Sequence, residues 1–158
     1  MPVVIGTDGL VAAFSKTFGD ETLAVETQFH IAESYFELFK SHQKLERSAE
    51  QKSDLEAGRR VLREVMEDYP NPKYIPRIAY LLGQFSQELK EWSDAVDNYQ
   101  LIVKQYPDST LAADAQYKLA QCYEEAGDFD QALEAYVTLA ATYPKSPLIA
   151  NVMVRIAE

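Results

Sequence analysis

The sequence predicts an all-α fold, an α-solenoid of stacked antiparallel helix pairs, and three observations carry that prediction. A short motif recurs, "YPDS" at 106–109 and "YPKS" at 143–146, with a looser copy "YPNP" at 69–72. The chain matches itself at an offset of 37 residues: Tyr80 falls on Tyr117, Leu82 on Leu119, Gly83 on Ala120, Ala95 on Ala132, Tyr99 on Tyr136 and Pro107 on Pro144. Between the motifs the apolar residues fall at helical spacing. A period of this length signals stacked supersecondary units, each unable to bury its apolar face alone.

The third unit, 111–144, shows the pattern most clearly. In "ADAQYKLAQCYEEA" at 113–126, Leu119, Ala120 and Tyr123 follow Gln116 and Tyr117 in helical register. Gly127 is suited to a left-handed C-cap, and Asp128 to an N-cap, with Gln131 completing a capping box. The next helix places Ala132, Leu133, Tyr136, Leu139 and Ala140 on one face. It ends at Tyr143-Pro144, because proline disfavours helical geometry in the residue before it. Ser146-Pro147 then offers serine at N-cap and proline at N1 of a following helix. The motif is therefore punctuation between helix pairs.

The second unit, 76–107, repeats this with Ser86 in place of the tyrosine and Lys90 in place of the interhelix glycine. The first unit, 22–70, opens with "QFHIAESYF" at 28–36, parallel to "QYKLAQCYE" at 116–124, and has Gly58 where Ala132 stands later. Tyr35 to Gly58 is 23 residues and Tyr123 to Ala132 is 9, so this unit holds 14 extra residues. Fourteen residues make about four helical turns, or two added to each helix, which keeps both faces in phase. Tyr35, Leu38, Phe39, His42 and Leu45 continue the apolar stripe, predicting a first helix to about residue 45 and a long projecting hairpin. The polar stretch 43–53 reads equally as helix or as flexible loop. Residues 10–18 parallel the second helix of a pair, and 147–158 the first helix of a fourth unit. An array that opens and closes in mid-unit reads as a slice of a longer protein. Ile149, Val152, Met153 and Ile156 are then expected to pack against another copy or to leave an apolar end.

The 158 residues are 47% hydrophobic and 25% charged, enough apolar content for a real core. No run is long enough to cross a bilayer, and the start does not read as a signal peptide. The net charge of −10 disfavours nucleic acid as a partner. Residues 40–63 carry seven cations against four carboxylates, a net +3 that leaves −13 elsewhere. That basic hairpin keeps open a contact with an anionic surface.

No catalytic or metal site is indicated, and no cofactor. His30 and His42 lie about 18 Å apart along one helix, too far to share a metal. Cys122, the single cysteine, aligns with Phe85 of the preceding copy and reads as a half-buried small hydrophobe. There is no phosphate-cradling glycine loop.

Residues 113–146 resemble a tetratricopeptide repeat, with Leu119, Ala120, Tyr123, Gly127, Ala132, Tyr136 and Pro144 at marker spacings, and 76–109 are a second copy. The resemblance implies a right-handed α-solenoid and a protein-interaction scaffold, with the first helix of each pair lining a concave groove. The groove positions it implies are Glu26, Phe29, Glu33, Phe36 and Glu37 in the first unit. The second unit supplies Arg77, Tyr80, Gln84, Gln87 and Glu88, and the third Asp114, Tyr117, Gln121, Glu124 and Glu125. Aromatic rings give contact area at low entropy cost, and the carboxylates favour a ligand bearing Lys or Arg. The same residues read equally as a solvated face whose aromatics help to stack helices. Arrays that clamp chaperone carboxylate tails use Lys, Asn and Arg on this face, so an acidic tail is not the expected partner. The wording "YPDSTLAADAQYKLAQCY" is similar to repeats of bacterial cell-envelope proteins, of the outer-membrane assembly lipoprotein and Tol–Pal coordinator types. Two further readings stand beside the scaffold: a self-assembling repeat module, and an accessory region of a larger enzyme or secretion component.

Overall fold

The computed structural model describes residues 21–71 and 73–157, and among these described residues there are seven helices and no strands. The expected helix over 10–18 lies outside the described residues. The helices fall into two units, one ending at Asn71 and one beginning at Pro72.

The described residues of unit 1 form a helix pair, α1 (Glu21–Lys44) and α2 (Ser48–Asp68). The stretch 43–53 is therefore helix on both sides of a three-residue turn. Glu46 sits in the left-handed region at φ 57°. The amide of Glu46 donates to Gln43 O at 3.2 Å and that of Arg47 to His42 O at 3.0 Å. These two bonds close α1 in a Schellman turn. Measured from this turn, the 14 extra residues divide equally. Tyr35 to Glu46 is 11 residues against 4 from Tyr123 to Gly127, and Glu46 to Gly58 is 12 against 5 from Gly127 to Ala132. Seven residues, about two turns, enter each helix, so the buried faces stay in register. Val25, Phe39, Leu55, Leu62 and Val65 form the seam between the helices. Near the distal end His42 Nδ1 meets Asp54 Oδ2 at 2.5 Å, and Gln51 Nε2 donates to His42 O at 3.2 Å.

Unit 2 holds α3 (Ile75–Glu88), α4 (Trp92–Gln105), α5 (Ala112–Ala126), α6 (Phe129–Thr142) and α7 (Ile149–Ala157). Each packs on the next in chain order. The 37-residue period is visible in the core: Tyr99 and Tyr136, Ala95 and Ala132, and Ile102 and Leu139 are all buried. The turn of unit 1 appears twice more. Gly127 adopts φ 83°, and Lys90 holds the equivalent place at φ 59°. Lys90 N and Glu91 N donate to Gln87 O and Ser86 O, each at 2.9 Å, as Gly127 N and Asp128 N donate to Glu124 O and Tyr123 O at 3.0 and 2.8 Å. A lysine thus occupies a conformation that favours glycine, at a cost of about 1 kcal/mol.

Three sequence expectations are corrected. Asp128 caps α6 through Oδ1, which accepts from Gln131 N at 3.3 Å. The return half of the capping box is displaced, because the Asp128 amide is already committed to Tyr123 O. Ser146 does not start α7 directly. Its Oγ accepts from Leu148 N at 3.2 Å, and the helix begins at Ile149, as Ser109 Oγ accepts from Leu111 N at 3.2 Å ahead of Ala112. Leu133 is 47% exposed instead of buried, in a row with Phe129 and Val137. Of the apolar residues on α7, Val152 is buried against Leu139 and Tyr136, whereas Met153 is 55% exposed. Successive corner motifs are stitched together: Tyr143 OH donates to Pro107 O at 3.3 Å.

Candidate functional site

The site of interest is the face of unit 2 that carries Tyr80 on α3 and Tyr117 on α5. Each tyrosine lies one helical repeat from its twin and is half-buried. Each is backed by a buried tyrosine of the following helix. The Tyr80 and Tyr99 rings meet edge-on with centroids 5.7 Å apart, and those of Tyr117 and Tyr136 are tilted by 60° at 5.8 Å. Small residues make this possible. A Cβ added at Gly83 would lie 2.7 Å from Tyr99 Cε1, so glycine lets the Tyr99 ring press against the α3 backbone.

The backing hydroxyls are satisfied from the same face. Tyr99 OH donates to Gln87 Oε1 at 3.3 Å, and Tyr136 OH donates to Glu124 Oε2 at 2.8 Å. Burial drives the Tyr99 phenol well above its ordinary pKa, with Cys122, Tyr80 and Glu88 adding smaller repulsions. Tyr136 is raised by burial and then by its bond to Glu124. Tyr80 is raised by burial and then by the Asp114 carboxylate, which brings α3 and α5 into electrostatic contact. These phenols stay neutral throughout the ordinary pH range, and Tyr99 and Tyr136 act as donors.

The acidic residues expected here are not equivalent. Glu124 is occupied: besides Tyr136 it receives Arg155 Nη1 of α7 at 3.0 Å on Oε1. Its charge is matched internally, which reduces its pull on a basic ligand. Asp114 is half-buried beside Tyr80, and Glu125 is exposed. Gln121 Oε1 is buried without a hydrogen-bond partner. Gln84 is half-buried, as are Gln87 and Arg77, and Glu88 is exposed.

Unit 1 treats the equivalent positions differently. Phe29, expected on the exposed inner face, is only 5% exposed and belongs to the core. Its ring has no hydroxyl to keep near water, and Leu62, not tyrosine, stands where Tyr136 backs Tyr117. Phe36 is half-buried, tilted against Phe39 at 5.8 Å, with Lys40 Nζ 5.0 Å above its centroid. Glu26 and Glu33 are half-buried and Glu37 is exposed. Glu33 meets His30 at 3.0 Å and Glu37 meets Lys40 at 2.8 Å.

Sequence reasoning missed Arg155 and the row Phe129–Leu133. With Glu124, Tyr136 and Ile156 they line a cavity of about 410 Å³. One signal was present: Arg155 falls one repeat after Lys118, so a cation recurs there. The candidate nucleophile is inert. Cys122 is fully buried, more than the half-burial expected, and its thiol is pushed up to about 12 by burial, then by Glu125, with Lys118 opposing. A thiol at that value is not a nucleophile at neutral pH. Among the described residues no group of three His, Cys, Asp or Glu is placed to hold a metal ion, and no helix is long and apolar enough to cross a membrane.

Comparison with known proteins agrees with this architecture. One tetratricopeptide-repeat family profile matches residues 74–145 and a second matches 26–72. The N-terminal domain of stress-induced protein-1 (STI-1) from C. elegans superposes with a TM-score of 0.55 at 14% identity, covering 81% of this chain and 96% of that one. A structure of MamA superposes with a TM-score of 0.54 at 21% identity, covering 90% of this chain and 78% of that one. Identities this low establish the fold alone. No curated protein gave a match. Tetratricopeptide repeats are in general protein–protein interaction modules, and residues 26–72 and 74–145 of this chain are repeats of that family.

Proposed function

We propose that the chain is a protein-interaction scaffold and that unit 2 offers the Tyr80–Tyr117 face to a peptide or a folded partner. The observation that supports this best is the repeated tyrosine pair, one ring half-exposed and its neighbour buried at a steep angle behind it. A ring already held in place loses little entropy when a ligand covers it. Gln84 and Gln87 stand beside the rings as polar contacts. The Gln121 amide, with an unpaired oxygen, gains by turning toward a ligand N–H. Asp114 and Glu125 favour Lys or Arg in the ligand. The repeat wording at 106–123 supports a setting in a bacterial envelope assembly.

The test is a peptide selection from a random library against the 158-residue chain, followed by binding to Tyr80→Ala/Tyr117→Ala. Basic peptides whose affinity falls about tenfold or more in the folded double variant support the reading. Peptides that bind both forms equally overturn it.

A second reading, self-association through α6 and α7, is favoured by Phe129 at 69%, Met153 at 55% and Val154 at 58% exposure. If that face joins copies, Phe129→Ser/Met153→Ser makes the chain monomeric. Unchanged assembly removes it.

A further inference from the structure

The carboxylates of the Tyr80–Tyr117 face differ in what already holds them. Glu124 is taken by Tyr136 and Arg155. Asp114 is half-buried, and among the described residues no hydrogen bond or ion pair reaches its carboxylate. Neither Lys118, one turn along α5, nor Lys145 of the following corner pairs with it. A half-buried charge in this state has lost part of its hydration and has gained no counter-charge in exchange.

Its position gives the carboxylate a use. Asp114 lies three residues before Tyr117, so both fall on one face of α5. It also lies close enough to Tyr80 for its charge to raise that phenol. The same residue lines a cavity of about 640 Å³, formed by Thr110, Ala113 and Asp114 at the start of α5 and by the corner 142–147. Asp114 therefore joins the aromatic face to this cavity. The arrangement occurs once, because one repeat earlier the place of Asp114 is held by Arg77. Glu125 stands apart from it, 11 residues further on and about 17 Å along the helix.

We infer that Asp114 and the rings of Tyr80 and Tyr117 form a subsite for one arginine side chain of the partner, whose neighbouring residues extend into the corner cavity. The inference rests on the reading of the Tyr80–Tyr117 face as the place where a partner is held. Three physical differences select arginine over lysine. A guanidinium meets a carboxylate with two parallel N–H bonds, where an ammonium offers a point charge. Its flat surface lies against a tyrosine ring and gains cation–π attraction. It is also more weakly hydrated, so it gives up water more readily to reach a half-buried partner. Lys145, exposed in the lining of the cavity, repels any cation bound there.

The test uses peptides selected from a random library against the 158-residue chain, with binding measured by titration calorimetry. The selected peptides are expected to share an arginine whose replacement by lysine weakens binding about tenfold. Against Asp114→Asn, the arginine and lysine forms of a peptide bind within about twofold of each other. Lys145→Glu binds the arginine peptide more tightly than the unaltered chain does. Peptides with no shared arginine overturn the inference, and so does an arginine preference that persists in Asp114→Asn. Should Asp114→Asn lose helical content, Lys145→Glu decides, since an arginine peptide that it does not tighten counts against the subsite. If Tyr80→Ala/Tyr117→Ala still abolishes binding in those cases, the face stands and only the arginine subsite falls. If the tyrosine variant binds the peptides as the unaltered chain does, the face falls and the subsite with it.

Discussion

In unit 1 one helix pair is stretched to 24 and 21 residues, while in unit 2 no helix exceeds 15. Both use the same left-handed turn, at Glu46, Lys90 and Gly127. What surrounds it differs. Unit 2 places tyrosines between its helices at a fixed period, Tyr80 with Tyr117 and Tyr99 with Tyr136, so the inner face is supported from behind. Unit 1 has Phe29 and Leu62 at those places, packs both inside, and adds an interhelical His42–Asp54 contact two turns further out. One set of turn and helix rules thus yields a supported aromatic face in one unit and a bipolar hairpin in the other. The difference lies in which side chains the period carries, not in the backbone plan.

Substitutions can break or sharpen that contrast. The largest effect is expected at Tyr99, which is fully buried and supports Tyr80. Tyr99→Ala should cost unit 2 about 4 kcal/mol, measured by denaturant unfolding, with the α1–α2 pair retaining its own helical signal. Next is Gly83→Ala. Its new Cβ would meet the buried Tyr99 ring at 2.7 Å, and overpacking of this kind costs about 2 kcal/mol against a smaller gain in helix propensity. Ala120 occupies the equivalent place beside Tyr136, so Ala120→Gly should lose only about 1 kcal/mol, from propensity. If Gly83→Ala proves stabilising, the close approach of Tyr99 is not a constraint. Smaller still are the turns: Glu46→Gly and Lys90→Gly should each raise stability by about 1 kcal/mol, and Gly127→Ala should lower it by a similar amount.

Alkaline pH gives the mildest test. Burial pushes the folded Cys122 thiol up to about 12, above its ordinary value of 9.0. Its contribution is therefore fully present below about 9 and is lost as pH rises from there through 12. Tyr80, Tyr99, Tyr136 and Tyr143 are raised in the same direction. Thermal stability should fall above pH 9, less steeply in Cys122→Ala, and a thiol reagent should label the native chain only as fast as it opens.

Much of the fold was legible because its signals are local. Gly127, Asp128 and Tyr143-Pro144 each stop or start a helix through chemistry that depends on a few neighbours. The turns at Glu46 and Lys90 were not legible from residue type, since glutamate and lysine seldom adopt positive φ. The period located the Lys90 turn, and the 14-residue insertion located the other. The site was legible in position and not in depth. Tyr80, Tyr117 and Phe29 occupy one repeat position, yet Phe29 is buried. The deciding residue is the one behind each ring, many residues away in sequence. Likewise Glu124 looked like its neighbour Glu125, until Arg155 and Tyr136 were seen to converge on it.

The central claim is that the tyrosine-supported face of unit 2 is where a partner protein is held. Titration calorimetry of a library-selected basic peptide against three forms of the full chain tests it most directly. The account predicts that Tyr80→Ala/Tyr117→Ala loses about tenfold or more in affinity while Lys40→Glu/Lys44→Glu binds as the unaltered chain does. Equal binding by the tyrosine variant, with its helical content intact, would contradict it.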